Sequence, residues 1–167
     1  VLRAALAALH DVTTFSWAAM MGVDPDTILP VSAVIEGFDE SACVPFWEAE
    51  LTLPGYLKFT DLARSHDPVG TLWEATDGDL MRSPVYATIY APLGAADELR
   101  AVFILGSSAW GVASLVRGGA DGPFDAVEVG EVRQLARFIA RALRSAIVRS
   151  ESLRSSSTAC VLFDRDY

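Results

Sequence analysis

Residues 98–117 read Glu98-Leu99-Arg100-Ala101-Val102-Phe103-Ile104-Leu105-Gly106-Ser107-Ser108-Ala109-Trp110-Gly111-Val112-Ala113-Ser114-Leu115-Val116-Arg117. Two apolar runs of strand length flank Gly106-Ser107-Ser108-Ala109, where glycine and serine supply the chemistry of a hairpin turn. In the first run Leu99, Ala101, Phe103 and Leu105 share one face, and Arg100, Val102 and Ile104 the other. In the second, Trp110, Val112, Ser114 and Val116 alternate with Gly111, Ala113, Leu115 and Arg117. Neither face is plainly polar, so both are expected to be covered, which places the hairpin at the centre of a sheet. The segment reads as the central hairpin of an α+β domain.

A helix follows directly. After Gly118, Gly119 and Gly122, the sequence Pro123-Phe124-Asp125 opens a helical pattern in which Asp125 and Glu128 form a capping box. Phe124 and Val129 stand where a hydrophobic staple closes over that cap. An apolar stripe then runs through Val132, Leu135, Ala136, Ile139, Leu143, Ala146 and Ile147. A helix from Ala126 to Leu153 would be about 40 Å long, more than one small sheet needs. Arg133, Arg137, Arg141 and Arg144 fall along it as a solvated face.

Upstream, Leu2, Ala5, Leu6 and Leu9 predict a short amphipathic helix ending near His10. Thr13 to Gly22 alternates Phe15, Trp17, Ala19 and Met21 on one side, and Ile28 to Ile35 gives a second strand after the Asp24-Pro25-Asp26 turn. Pro30 assigns that second strand to a sheet edge or a strand start. Between Gly37 and Pro92 the character changes. Ser41 caps a helix carrying Phe46, Trp47 and Leu51 inward, and 52–59 reads as extended. Thr60 to Arg64, Thr71 to Thr76 and Asp79 to Tyr90 read as short helices, with Pro84 restarting or kinking the last. An irregular, aromatic-rich insert between two hairpins is where a sheet protein builds a pocket.

The bulk composition limits the function classes. The 167 residues suffice for one domain with a sizeable core, and 51% hydrophobic residues exclude a disordered tail. A net charge of −9 without a dense basic cluster argues against a nucleic-acid surface within this chain. No apolar run is long enough to span a bilayer as a helix, so no membrane partner is expected. The two cysteines, Cys43 and Cys160, lie far apart, which points to a reducing compartment and a cytoplasmic location. The start, Val1-Leu2-Arg3, has neither an initiator Met nor a signal-peptide layout and reads as an excised piece of a longer chain. Residues 1–154 are assigned to the domain. Residues 155–167 hold a polar link and an apolar segment, Ala159 to Phe163, with two readings: the first strand of a truncated following domain, or an addition to this domain's own sheet.

Helix, hairpin, irregular helical insert, hairpin, long helix is a layout that resembles GAF-type sensory domains. The residues carrying the likeness are Trp110 to Arg117, the loop ending Gly122-Pro123-Phe124, and Glu128 through Leu135-Ala136-Arg137-Phe138-Ile139-Ala140. Gly22-Val23-Asp24-Pro25, Phe46-Trp47-Glu48 with Glu50, Lys58-Phe59 with Asp61-Leu62-Ala63-Arg64, and Asp97 to Phe103 resemble the N-terminal regions of actinobacterial LuxR-type transcription regulators. The resemblance spans most of residues 10–150. It implies an antiparallel sheet with the terminal helices on one face and the insert on the other, over a small-molecule pocket. It also implies a homodimer paired through the terminal helices, with DNA contacted only through a domain this chain does not contain.

From these readings the expected ligand-binding residues are Trp47, His66, Trp73, Tyr86, Tyr90 and Phe103. Trp and Tyr give such a pocket an apolar body with polar tips, while His66 and Arg82 stand at its rim. No cofactor and no metal are expected. His10 and His66 are the only histidines, and Asp77-Gly78-Asp79 has turn spacing rather than calcium-loop spacing. The expected function is a non-enzymatic regulatory domain that senses an unidentified small molecule or serves as a dimer platform. The alternative is a cysteine-dependent enzyme on the same fold, with Cys43 as nucleophile and His66 and Asp67 as base and orienter.

Overall fold

In the computed structural model, which describes residues 1–155, the 98–117 segment folds as the expected hairpin. The order of elements is α1 (Leu2–His10), β1 (Trp17–Val23), β2 (Pro30–Glu36), α2 (Cys43–Thr52), α3 (Phe59–Leu62), β3 (Val69–Thr71) and α4 (Leu72–Ala75). Three tight helical turns follow, Leu80–Arg82, the π-type turn Tyr86–Tyr90 and Ala91–Leu93, then β4 (Ala95–Leu105), β5 (Ser108–Gly118) and α5 (Ala126–Ser155). The five strands form one antiparallel sheet in the order β2-β1-β5-β4-β3. The β4–β5 pair therefore lies inside the sheet, turning through Gly106, whose φ of 69° suits glycine.

The two faces of the sheet are covered differently. On one face Ala18, Met20, Leu99, Ala101, Phe103, Ala113 and Leu115 pack against Leu6 and Leu9 of α1 and Val132, Ile139 and Leu143 of α5. On the other, Met21, Val102, Val112 and Val116 pack against Phe46, Phe59, Leu62, Val85 and Tyr90 of the insert. Strand alternation alone produces this split, since neighbouring side chains point to opposite sides.

The cap of α5 forms as its sequence implies. Asp125 Oδ1 accepts from the Val127 and Glu128 amides at 2.8 and 2.9 Å, and Glu128 Oε2 accepts from the Asp125 amide at 3.0 Å. Phe124 and Val129 are both buried in the helix-side core. Arg117 at the end of β5 reaches the same cap, bonding Glu128, Thr13 and the Pro123 carbonyl, with Phe124 under its guanidinium.

Several local expectations are corrected. A bulge in β5 pairs Phe103 with Gly111 but Ile104 with Ala109, so Trp110 is an extra residue. Trp110 consequently packs with the helix-side core, beside Arg144, rather than on the face of Val112 and Ser114. Asp39, not Ser41, caps the start of the insert: its Oδ1 accepts the Ser41 amide at 2.8 Å. Leu51 is exposed. The edge strand β3 precedes α4, with Thr71 ending one and capping the other through the Glu74 amide. The helix expected over 79–90 divides at Ser83 and restarts at Pro84, one of the two readings given for that proline, as a short turn and then the π-type turn. Of the arginines read as a solvated face, Arg133 clamps Asp67 through two bonds and Arg144 lies over Trp110. The expectations for residues 156–167, Cys160 and the apolar segment included, fall outside the described residues.

Candidate functional site

Between the sheet and the insert lies a cavity of about 270 Å³. Its floor is the insert-side face of the sheet: Ala19 and Met21 of β1, Ala33 and Ile35 of β2, and Ser114 of β5. Its walls are Phe38, then Cys43, Phe46 and Trp47 of α2, and Ile89 and Tyr90 of the π-type turn, the Tyr90 hydroxyl reaching the floor beside Ser114. The space exists because the sheet offers alanine at positions 19 and 33 where larger side chains would meet the insert. The volume is just below the ~300–1,000 Å³ common for drug-sized ligands, so a small molecule fits. The aromatic wall is ordered by its own contacts. Phe46 and Trp47 meet edge to face at 5.6 Å, and Phe38 lies 6.0 Å from Tyr90.

The polar atoms of the floor lead into a buried charge cluster. The Tyr90 hydroxyl donates to Glu98 Oε1 at 2.9 Å, the Ser114 hydroxyl donates to the same oxygen at 2.6 Å, and the two hydroxyls are 3.2 Å apart. Arg100 Nε is 2.8 Å from Glu98 Oε1, an ion pair whose N–H is not aimed along the contact. Arg100 Nη1 donates to Glu50 Oε2 at 2.7 Å and to the Leu57 carbonyl at 3.3 Å. Its guanidinium lies 5.3 and 5.0 Å from the ring centres of Phe46 and Phe59. Burial works against the Arg100 charge, but Glu98 and Glu50 outweigh it and hold the guanidinium above its ordinary value. Burial, reinforced by the Glu98 charge, pushes the Tyr90 phenol well up. Among the described residues Glu98 Oε2 has no hydrogen-bond partner.

Of the expected ligand-binding residues, the structure brings Trp47 and Tyr90 to the cavity. Phe103 is fully buried in the core on the opposite side of the sheet. Tyr86 belongs to the insert-side core but turns its hydroxyl to the Ala95 carbonyl at 2.7 Å. Trp73 is 43% exposed and packs beside Gly78. His66 is exposed, and Arg82 is bound to the Thr76 carbonyl and Asp77. Sequence reasoning missed the cavity roles of Ala19, Ala33, Phe38, Ile89 and Ser114. The alternation Trp17, Ala19, Met21 in β1 was a usable signal for one of them; the others depend on how the insert folds back.

Cys43 lies on the cavity wall, yet it is not assembled with His66 and Asp67. Neither Cys43 nor His66 bonds the other, and both carboxylate oxygens of Asp67 are held by Arg133 on α5 at 2.8 and 2.6 Å. Among the described residues no three histidine, cysteine or acidic side chains gather as a metal site. No helix of the described residues is long and apolar enough to cross a membrane.

Neither a family model nor a curated protein sequence matches the chain. Solved structures do match in fold. The GAF domain/HD domain protein from Geobacter sulfurreducens superposes with a TM-score of 0.58 at 16% identity, over 85% of this chain and 89% of that one. The LBD domain of VqsR from Pseudomonas aeruginosa superposes with a TM-score of 0.53 at 17% identity, over 87% and 84%. The fold is therefore GAF-like, an α+β architecture on a five-stranded antiparallel sheet.

Proposed function

We propose that this chain is the small-molecule-sensing domain of a transcription regulator and has no catalytic activity of its own. The observation that carries the reading is the partly open, almost wholly apolar cavity between sheet and insert. The likeness in fold to the LBD domain of VqsR supports the regulatory setting. DNA is reached through a domain outside this chain, and the site of action is the cytoplasm.

The cavity and α5 share one strand. Ser114 of β5 faces the cavity, while Ala113 and Leu115 beside it face α5. A ligand that favours one of two sheet positions shifts the population of α5 positions by its difference in affinity for them.

Native mass spectrometry of freshly purified protein and a thermal-shift screen of metabolites test this reading. A retained compound or a stabilising one is the expected outcome. No retained compound and no stabilisation would remove the sensing role and leave the dimer platform. That second reading draws on Val127 and Phe138, 69% and 58% exposed and three turns apart on α5. Light scattering of the purified chain decides whether a homodimer forms.

A further inference from the structure

The hydrogens of the cavity floor are already committed. Tyr90 and Ser114 carry one hydroxyl hydrogen each, and both are directed to Glu98 Oε1, at 2.9 and 2.6 Å. If Tyr90 instead donates across the 3.2 Å contact to Ser114, both hydrogens still stay inside the cluster. What the two oxygens can show the cavity is lone pairs. Drawing a hydrogen away toward a ligand would deepen an existing deficit, because Glu98 Oε2 is buried without a partner among the described residues. Beside the floor stand two carboxylates, Glu50 and Glu98, against one guanidinium, Arg100, and among the described residues no cationic side chain lines the cavity. Trp47 and Cys43 stand apart from this floor, on the α2 wall.

We propose that the cavity takes an uncharged, mainly apolar molecule that presents a hydroxyl or N–H donor to the Tyr90–Ser114 floor. The proposal rests on the sensing role above and names the chemistry of what is sensed. Ligands ending there in a carboxylate meet two oxygens with no hydrogen to give and a negative cluster beside them. Carbonyl- and ether-ended ligands meet the same mismatch of acceptor on acceptor. The wrong partner is rejected because polar groups are left unpaired in a buried site.

Calorimetric titration of the full 167-residue chain with four probes tests it: indole, benzofuran, indene and benzoate. The first three are neutral and nearly the same shape; only indole carries an N–H. Indole is expected to bind about tenfold or more tighter than benzofuran and indene, and benzoate not at all. Ser114→Ala is expected to narrow the gap by weakening indole while leaving indene unchanged. Equal binding of the three neutral probes, a preference for benzofuran, or binding of benzoate at indole's affinity would overturn the inference and leave the sensing role standing. Failure of all three neutral probes to bind would overturn the inference, while the sensing role stands or falls on the metabolite screen. The comparison on the unaltered protein is decisive even if the variant does not fold.

Discussion

Arg100 Nη1 lies 2.7 Å from Glu50 Oε2, joining a central strand to the insert across fifty residues of sequence. Both side chains are almost wholly buried. Glu50 has a second task, since its Oε1 accepts the Phe59 amide at 2.8 Å and so fixes the start of α3. Removing Glu50 leaves Arg100 paired with Glu98 but takes the acceptor from the Arg100 Nη1 and Phe59 N–H groups in a buried place, which costs about 1–3 kcal/mol. Glu50→Ala is expected to lower urea stability by that order, and Glu50→Gln by less, because an amide oxygen can still accept from Phe59. Equal stability of Glu50→Ala and the parent would show that the insert is held by its apolar contacts alone.

Asp97 gives a pH dependence of definite sign. Its carboxylate accepts from the Trp73, Glu98 and Phe124 amides at 2.8, 2.8 and 3.2 Å. Burial nevertheless outweighs those bonds and pushes its pKa up from 3.8 to about 6. The folded chain thus binds the proton more tightly than the unfolded chain. The stability gained from that proton is complete below about pH 4 and is lost as pH rises through about 6, a change of roughly 2–3 kcal/mol. Glu128 opposes this at the acid end: despite burial, its bond from Arg117 and the amide of Asp125 hold its pKa low. Its contribution is lost as pH falls below the usual carboxylate range. Urea midpoints are expected to rise from pH 7 to pH 5 and then to fall in stronger acid. Asp97→Asn should flatten the rise between pH 7 and pH 5. That variant also turns an N–H toward the Phe124 amide, so its stability at pH 5 should drop as well.

The cap of α5 was legible because every part of it lies within a few residues: Asp125, Glu128, Phe124 and Val129 meet through local geometry. Asp125→Ala is expected to cost about 0.5–2 kcal/mol, read as a lower midpoint in thermal or urea unfolding. A neutral result would mean that Arg117 and Thr13 hold Glu128 and the helix start without the cap. The central hairpin was legible for a similar reason, its apolar alternation on both faces. The charge cluster was not. The alternation put Arg100 on a covered face with Val102 and Ile104, but nothing in spacing reveals that Glu98 and the distant Glu50 are its partners there. Phe103 shows the opposite case: its alternation with Leu99 and Ala101 already placed it on their face, and that periodicity outweighs aromatic character as a guide to the pocket. The cavity itself depends on how the insert folds back onto the sheet: its turns at Asp39 and Thr71 are local, but the Glu50–Arg100 contact that ties it to β4 spans fifty residues.

Gly111 of β5 sits directly under Leu143 of the closing helix. A Cβ placed there would come within 2.5 Å of Leu143 Cδ1 and 2.7 Å of the Met21 carbonyl oxygen. The leucine can turn aside, but the carbonyl belongs to the paired strand β1 and cannot. Gly111→Ala is expected to destabilise by about 1–3 kcal/mol, in the range of overpacked cores. Because the bulge at Trp110 adjoins this position, amide exchange should quicken first in β1 and β5. A variant as stable as the parent would show that β1 can draw away from β5 at this position without loss.

Cys43 offers a direct reading of whether the cavity is entered in solution. Its thiol is part of the wall and half-buried. In a Cys160→Ser background only this thiol remains, since the chain has two cysteines. Saturating indole is expected to slow its alkylation by N-ethylmaleimide several-fold, while benzoate leaves the rate alone. Once alkylated, the protein should no longer be stabilised by indole, because the succinimide occupies the same small volume. Unchanged labelling at saturating indole would place the indole elsewhere. The thiol is tied neither to His66 nor to Asp67, which Arg133 holds. His66→Ala is accordingly expected to leave the labelling rate as it was. A marked fall in rate on that substitution would instead revive the cysteine-nucleophile reading.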